Sequence, residues 1–315
     1  MTYPLKVVAL SEVPNTDEKM EVIKSGFKSI DDVIGGFRTH GTYLIAGNSK
    51  SGKSSFLMNL VNTQLKRDRK CTYIDTELTR RNFISRMAGI LFNQTTLALE
   101  NNQELMEDWK EVCGKSLFYF GVDELQKNNE MRFDTALAYA KESVNSGAKI
   151  ICFDNLTTFQ TSLVQGKAGW EILSNCMTKV ITFAKQHDVV CFIVVHTKAN
   201  STYKETPEGI RNLVKSGKVN EIFTDSITVV ARPSVNDVYG ASAKSQLNGS
   251  ILIWRPLQYF NDPQLSCQAD IILQEFRYAP DADCLMDYDG EKKIFTEVKP
   301  EITEEFARNL FNSKK

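Results

Sequence analysis

Residues Gly47 to Ser54 read GNSKSGKS, and no other stretch restricts the fold so tightly. They satisfy the pattern G-x-x-x-x-G-K-[ST] at every fixed position. Such a loop functions between a buried strand and the start of a helix, where backbone N–H groups and the positive helix end face one anion. The flanks meet that demand. Thr42 to Ala46 (TYLIA) is a short apolar run suited to a strand, and Ser55 to Lys66 sets Phe56, Leu57, Leu60 and Leu65 near one helical face. Gly47 and Gly52 let the backbone bend and approach closely without a Cβ. The run Gly47, Asn48, Ser49, Lys50, Ser51, Gly52, Lys53, Ser54 and Ser55 is the expected cradle for the phosphates of ATP. Lys53 is expected to reach the β- and γ-phosphates, and the Ser54 hydroxyl to ligate Mg²⁺.

Around this loop the chain alternates short apolar runs with amphipathic ones. Cys71–Asp75, Leu117–Val122, Lys149–Asp154 and Val189–Val195 read as strands. Helices are expected over Arg80–Leu91 with Thr79 as cap, over Gln103–Val112, over Phe133–Ser146 and over Trp170–Gln186. A short helix near Ser29 is expected to be capped by that serine, with Asp31 and Asp32 in its first turn and Gly35-Gly36 at its end. The alternation predicts an α/β fold, a P-loop NTPase with a mostly parallel central sheet. After Thr197 the pattern turns polar. Later segments, Phe223–Ala231, Ser250–Trp254, Ala269–Phe276 and Cys284–Asp287, read as β-like, and Gln268–Arg277 with Cys284–Val298 predicts an antiparallel C-terminal extension with a turn at Asp289-Gly290. Residues 1–24 are expected to form an N-terminal arm, 25–298 one ATPase domain, and 299–315 a C-terminal helix or tail.

In such a sheet ligands sit beyond the carboxyl ends of the strands. Three polar residues fall there. Asp154 closes an apolar strand, the setting of an acid that holds Mg²⁺. Glu77 follows the second strand and is placed to orient or deprotonate an attacking water, with Asp75 competing for that role. His196 closes VVCFIVVH and is placed to touch the γ-phosphate. Arg277 closes IILQEFR, where in a ring of identical subunits it would act as an arginine finger in a neighbour's site. Lys198, Lys204, Arg211, Lys215, Lys218, Arg232 and Lys244 make a basic region suited to DNA phosphates, and Gln160 to Gly169 with Lys167 is a second contact loop. Trp170, Tyr203 and Tyr239 offer rings for stacking on bases, or for the core.

Net charge is −1, so no global basic field advertises nucleic acid. The seven cysteines form no C-x-x-C pair and read as reduced core residues, and the three histidines have no metal spacing. No apolar run approaches the roughly 18 residues of a membrane span. Neither a membrane nor an export signal is expected, which leaves the cytosol, bacterial or that of an infected host.

Taken together, GFKSIDDVIGGF, GNSKSGKSSF, YIDTELTRRNFISRMAG, ICFDNL and IVVH resemble the RecA-like motor domain of hexameric replicative DNA helicases of the DnaB type, on their phage and mitochondrial branch. The segment TELTRRNFISRMAG, with Arg86 nine residues after Glu77, is the specific part. VYGASAKSQLNGSILIWR resembles the family's segment near its DNA-binding loop. The family's K-x-R finger has Glu275 in place of lysine here, and Tyr278-Ala279-Pro280 stands where glycines are usual. The resemblance implies an ATP-dependent replicative helicase, 5′ to 3′, working as a ring, with single-stranded DNA and a primase, polymerase or loader as partners. Two alternatives stay open: a RecA- or RadA-like recombination or repair ATPase, and an ATP-binding assembly switch that is no motor.

Overall fold

The computed structural model describes residues 20–122, 126–127, 130–160, 169–197, 202–205, 227–230, 232–238, 241–259 and 266–298. The chain begins with β1 (Val22–Ile23), α1 (Lys28–Ile34), β2 (Phe37–Arg38), β3 (Thr42–Gly47), α2 (Lys53–Leu65), β4 (Cys71–Asp75), α3 (Arg80–Phe92), α4 (Thr96–Glu100) and α5 (Gln103–Cys113). Next come β5 (Leu117–Phe120), the ribbon strands β6 (Gln126–Lys127) and β7 (Glu130–Met131), α6 (Phe133–Asn145), β8 (Ile150–Asp154), α7 (Gly169–His187) and β9 (Val190–His196). The remainder holds β10 (Thr202–Glu205), β11 (Ile227–Val230), α8 (Ala241–Lys244), β12 (Gly249–Trp254), β13 (Gln268–Gln274), β14 (Ala282–Asp289) and β15 (Ile294–Glu297).

Nine strands form one sheet in the order β15-β14-β13-β12-β3-β9-β8-β4-β5. The six from β12 to β5 run parallel, and β13, β14 and β15 extend the sheet antiparallel. The parallel strands read as unbroken apolar runs because both faces are covered. Alternate side chains then serve two cores. Tyr43 and Ile45 of β3 pack with Phe56, Leu57, Leu60, Phe83, Met87 and Trp109 of α2, α3 and α5. Leu44 and Ala46 pack on the other face with Phe133, Ala136, Leu173, Met177 and Ile181 of α6 and α7. All seven cysteines are free, and six are buried.

Several boundaries differ from the sequence expectation. Ser29 does not cap α1. Phe27 holds that position, and the Asp31 carboxylate instead accepts the backbone N–H of Ser25 (2.7 Å) and Gly26 (3.3 Å). Ser29 donates its own N–H to Glu297 Oε1 at 2.5 Å, a tertiary contact that outranks local capping. The α4 turn is absent from the apolar periodicity because it buries only Leu99. The strand expected over Phe223–Ala231 is described only as β11, and it pairs with β10 in a separate antiparallel ribbon. The expected C-terminal helix or tail over 299–315 and most of the N-terminal arm lie outside the described residues, as do the loop 161–168 with Lys167, and Lys198, Arg211, Lys215, Lys218 and Tyr239. The same holds for the side chains of Trp170, Tyr203 and Lys204.

Candidate nucleotide site

The parallel register brings four strand ends to one edge. Gly47 of β3 lies beside His196 of β9, and Asp75 of β4 beside Asp154 of β8. The loop after β3 turns sharply into α2. A Cβ on Gly47 would stand 2.7 Å from both the Ile253 carbonyl oxygen and Ser51 Oγ, so only glycine fits. Gly52 has φ +100°, a conformation that L side chains avoid, at the N-terminus of α2. Neighbours tie the loop down. Thr197 Oγ1 donates to Asn48 Oδ1 (2.7 Å), Gln258 Nε2 to the Ser49 carbonyl (3.2 Å), and Lys53 Nζ folds back onto the Asn48 carbonyl (2.8 Å).

A cavity of about 410 Å³ opens over this loop. Ser49, Lys50, Gly52, Lys53, Ser54, Ser55, Glu77, Asp154 and His196 line it, so residues expected from four separate sequence segments meet in one place. Ser54 Oγ donates to Asp154 Oδ1 at 3.1 Å, and Tyr73 donates its hydroxyl to Asp154 Oδ2 at 2.5 Å. Burial pushes the Asp154 carboxyl up, and these two donors oppose it. Lys53 is lowered to about 8 by burial, with Asp154 and Glu77 pulling the other way. Glu77 is held below the ordinary carboxylate range, first by His196, while burial opposes and Lys53 and Arg86 assist. The His196 Nε2 to Glu77 Oε1 distance is 3.8 Å, too long for a direct hydrogen bond.

Asp75, the competitor of Glu77, has a structural task. Its Oδ1 accepts the backbone N–H groups of Glu77 (2.8 Å) and Leu78 (2.9 Å), which turns Glu77 toward the cavity. Burial, then the nearby Asp154, raises Asp75 to about 7. Ser55 reaches the cavity, but its hydroxyl shares a 3.0 Å hydrogen bond with the Tyr288 hydroxyl.

Arg277 is elsewhere. The strand β13 runs against the parallel strands, so its end lies where β3 and β12 begin. The Arg277 guanidinium donates to the carbonyls of Leu247 (3.1 Å) and Gln246 (3.3 Å), a strand length from the loop, about 20 Å for six residues. Two members of the expected basic region are also committed. Lys244 is buried and donates to the carbonyls of Val235 (2.7 Å) and Val238 (2.9 Å), while Arg232 pairs with both oxygens of Asp283. The sequence reading of Lys244 as a DNA contact is corrected: it is buried, and two carbonyls of the folded chain accept from its ammonium.

Residues without an expected role complete the cavity: Asn155, Arg86, Arg255, Tyr288 and Lys293. Arg255 lies over the Tyr288 ring at 4.7 Å and donates to the Lys50 carbonyl at 3.4 Å. The hairpin β14–β15 reaches the site because Asn59 of α2 holds it, donating to the Lys293 carbonyl (2.8 Å) and accepting Phe295 N–H (3.3 Å). No local pattern marks Tyr288 or Lys293, whereas Arg86 and Arg255 stand in segments that carry the resemblance and Asn155 directly follows the strand-end acid.

The oxygen donors of Ser54 and Asp154 suit a hard divalent cation such as Mg²⁺, which takes one or two protein oxygens and completes its shell with water and phosphate. Fold and site therefore define a P-loop ATPase of the RecA-like α/β class, with a nucleotide pocket at the carboxyl edge of the sheet. The family model described as "ATPase: KaiC" matches residues 23–220, and the chain belongs to that family. Solved structures share the fold. A DnaB-like replicative helicase, described with its interactions with primase, superimposes with TM-score 0.67 at 14% identity over 92% of this chain. This chain spans 65% of that protein's length. A second solved structure, an ATPase domain on its own, gives TM-score 0.65 at 14% identity, covering 92% of this chain and 95% of that domain. A KaiC-like protein from the archaeon Pyrococcus horikoshii gives 0.58 at 13% identity, covering 89% and 100%. No curated protein matches by sequence. Among the described residues, no helix is long and apolar enough to cross a membrane.

Proposed function

We propose that this chain is the ATP-driven motor of a replicative DNA helicase, with residues 25–298 as the motor domain, acting as a hexameric ring on single-stranded DNA. The observation that carries this reading is the convergence of Lys53, Ser54, Asp154, Glu77 and His196 on one cavity, while Arg277 sits at the opposite end of the sheet. A finger so placed serves no pocket of its own subunit, which favours an assembly in which Arg277 enters the neighbouring site.

In this mechanism the loop N–H groups and Lys53 hold the β- and γ-phosphates of ATP. Ser54 and Asp154 would hold Mg²⁺, which when bound spreads the charge on the phosphate oxygens. Glu77, kept anionic by its basic neighbours, accepts a proton from the attacking water. Arg277 of the next subunit balances the charge gathered on the transferred phosphoryl group. His196 feels the presence of that group and passes it through Thr197, which holds Asn48, to the polar chain beyond. That chain would grip DNA through phosphates, without sequence preference. A primase, polymerase or loader would dock on such a ring, and the cytosol would be its compartment.

The test is unwinding of a forked duplex with a 5′ tail, using Lys53→Ala as control. Unwinding by the parent and none by Lys53→Ala is expected. A parent that splits ATP without unwinding would favour the second reading, an ATP-driven assembly switch, which the KaiC family match also suits.

A further inference from the structure

Between Glu77 and His196 stands one side chain that ties them together. Asn155 is 2% exposed, and every polar atom of its amide has a partner. Its Oδ1 accepts two donors from Thr158, the backbone N–H at 3.0 Å and Oγ1 at 3.2 Å. Its Nδ2 lies 2.5 Å from Glu77 Oε1 and 3.1 Å from His196 Nε2. The orientation of the amide follows from these neighbours. A flipped amide would turn its N–H groups on the Thr158 N–H and its oxygen on the Glu77 carboxylate, so Nδ2 is the atom that faces the cavity. An amide nitrogen only donates, so His196 Nε2 is the acceptor and the ring carries its proton on Nδ1. The backbone is held equally firmly: Asn155 N–H donates to Thr76 Oγ1 (3.0 Å), and Thr76 Oγ1 returns a bond to the Asn155 carbonyl (3.1 Å). Thr76 lies between Asp75 and Glu77, so the two strand ends that carry the acids are stitched at this point.

We infer that Asn155 is a positioning residue for ATP hydrolysis: its one NH₂ group couples the carboxylate of Glu77 to the imidazole of His196, so that the two move as a unit. This rests on the proposed ATPase reading of the cavity. Without the amide, nothing direct joins the pair, whose closest approach is 3.8 Å. Movement of His196 toward or away from a terminal phosphate would then leave Glu77 behind. A misplacement of about 1 Å at a reacting group costs up to about 10²-fold in rate. Asn155 donates to the acid and the imidazole and not to the loop that cradles phosphate, so its loss is expected in kcat and not in nucleotide affinity.

The experiment compares parent, Asn155→Asp, Asn155→Ala, His196→Ala and the double variant Asn155→Ala/His196→Ala for ATP turnover, KM and thermal midpoint. Asn155→Asp keeps the shape and sets a second carboxyl oxygen against Glu77. Expected is a kcat reduced about 10- to 100-fold with KM within about threefold. The double variant is expected to be no slower than the slower single variant within about twofold, because residues acting as a unit are not additive. A kcat for Asn155→Asp within twofold of parent, a loss carried by KM, or losses that multiply in the double variant would overturn the inference. Should the Asn155 variants not fold, Thr158→Val removes one of the two donors that orient the amide; a fewfold lower kcat at unchanged KM is expected, and an unchanged kcat overturns the idea. A parent that does not hydrolyse ATP would instead defeat the reading of the cavity itself.

Discussion

Replacing Lys53 by methionine separates what burial does to this residue from what the residue does for the site. Lys53 is 5% exposed, and burial brings its ammonium from 10.5 down to about 8. In the unfolded chain the amine keeps its ordinary proton affinity. Below pH 8 the group is charged in both states, and the folded state bears the full cost of burying that charge. Between about 8 and 10.5 the unfolded chain holds more protons, so stability rises with pH through that window. A displacement from 10.5 to about 8 is worth roughly 3 kcal/mol. Methionine also forfeits the 2.8 Å bond from Nζ to the Asn48 carbonyl, about 1 kcal/mol. Lys53→Met is therefore expected to stabilise the nucleotide-free protein by about 2 kcal/mol at pH 7, and by nearly nothing at pH 10, while ending ATP hydrolysis. Urea unfolding of both proteins at the two pH values, at one protein concentration, reads the difference, and titrating groups that do not interact with Lys53 cancel in it. A variant no more stable than parent at pH 7, or an advantage that persists at pH 10, refutes the reasoning.

Gly52→Ala places a Cβ 2.9 Å from the Phe295 ring at φ +100°, so a loss of about 1–3 kcal/mol is expected in a thermal melt; an unchanged midpoint would show that the hairpin yields freely. Lys244→Met strips the Val235 and Val238 carbonyls of their donor and is expected to destabilise by about 1–3 kcal/mol. The salt dependence of single-stranded DNA binding should stay the same, whereas loss of a phosphate contact would lower its slope by about one. Arg277→Ala is expected to cut turnover by about 10³-fold or more without weakening nucleotide binding. Mixing it with Lys53→Ala chains should restore part of the activity, since one supplies the pocket and the other the finger; no recovery in mixed assemblies would count against action across subunits.

Much of the site was legible because its chemistry is local. Gly47 to Ser54 must be contiguous to wrap a phosphate, and Asp154 and His196 each end an apolar run that can only be a buried strand. Glu77 was legible by its place two residues past β4, whereas the hydrogen bond by which Asp75 holds the Glu77 N–H was not. Other readings failed where a distant partner outbid a neighbour. Ser29 had the composition of a cap, but Glu297 claims its N–H from 268 positions away. Lys244 had the charge of a DNA contact, but two carbonyls claim its ammonium.

Periodicity and spacing were enough to name an α/β nucleotide fold and the strand ends where its acids stand, since burial on two faces and a bend around phosphate each leave a short-range imprint. Sheet order leaves none. That β9 and β8 insert between β3 and β4, that β13 turns Arg277 away from the loop, that Tyr73 reaches Asp154, and that Asn155, Arg255 and Lys293 come to the cavity all depend on which strands pair. Pairing is chosen by the burial of whole faces and the satisfaction of backbone hydrogen bonds, energies summed over the assembled sheet and written in no single segment.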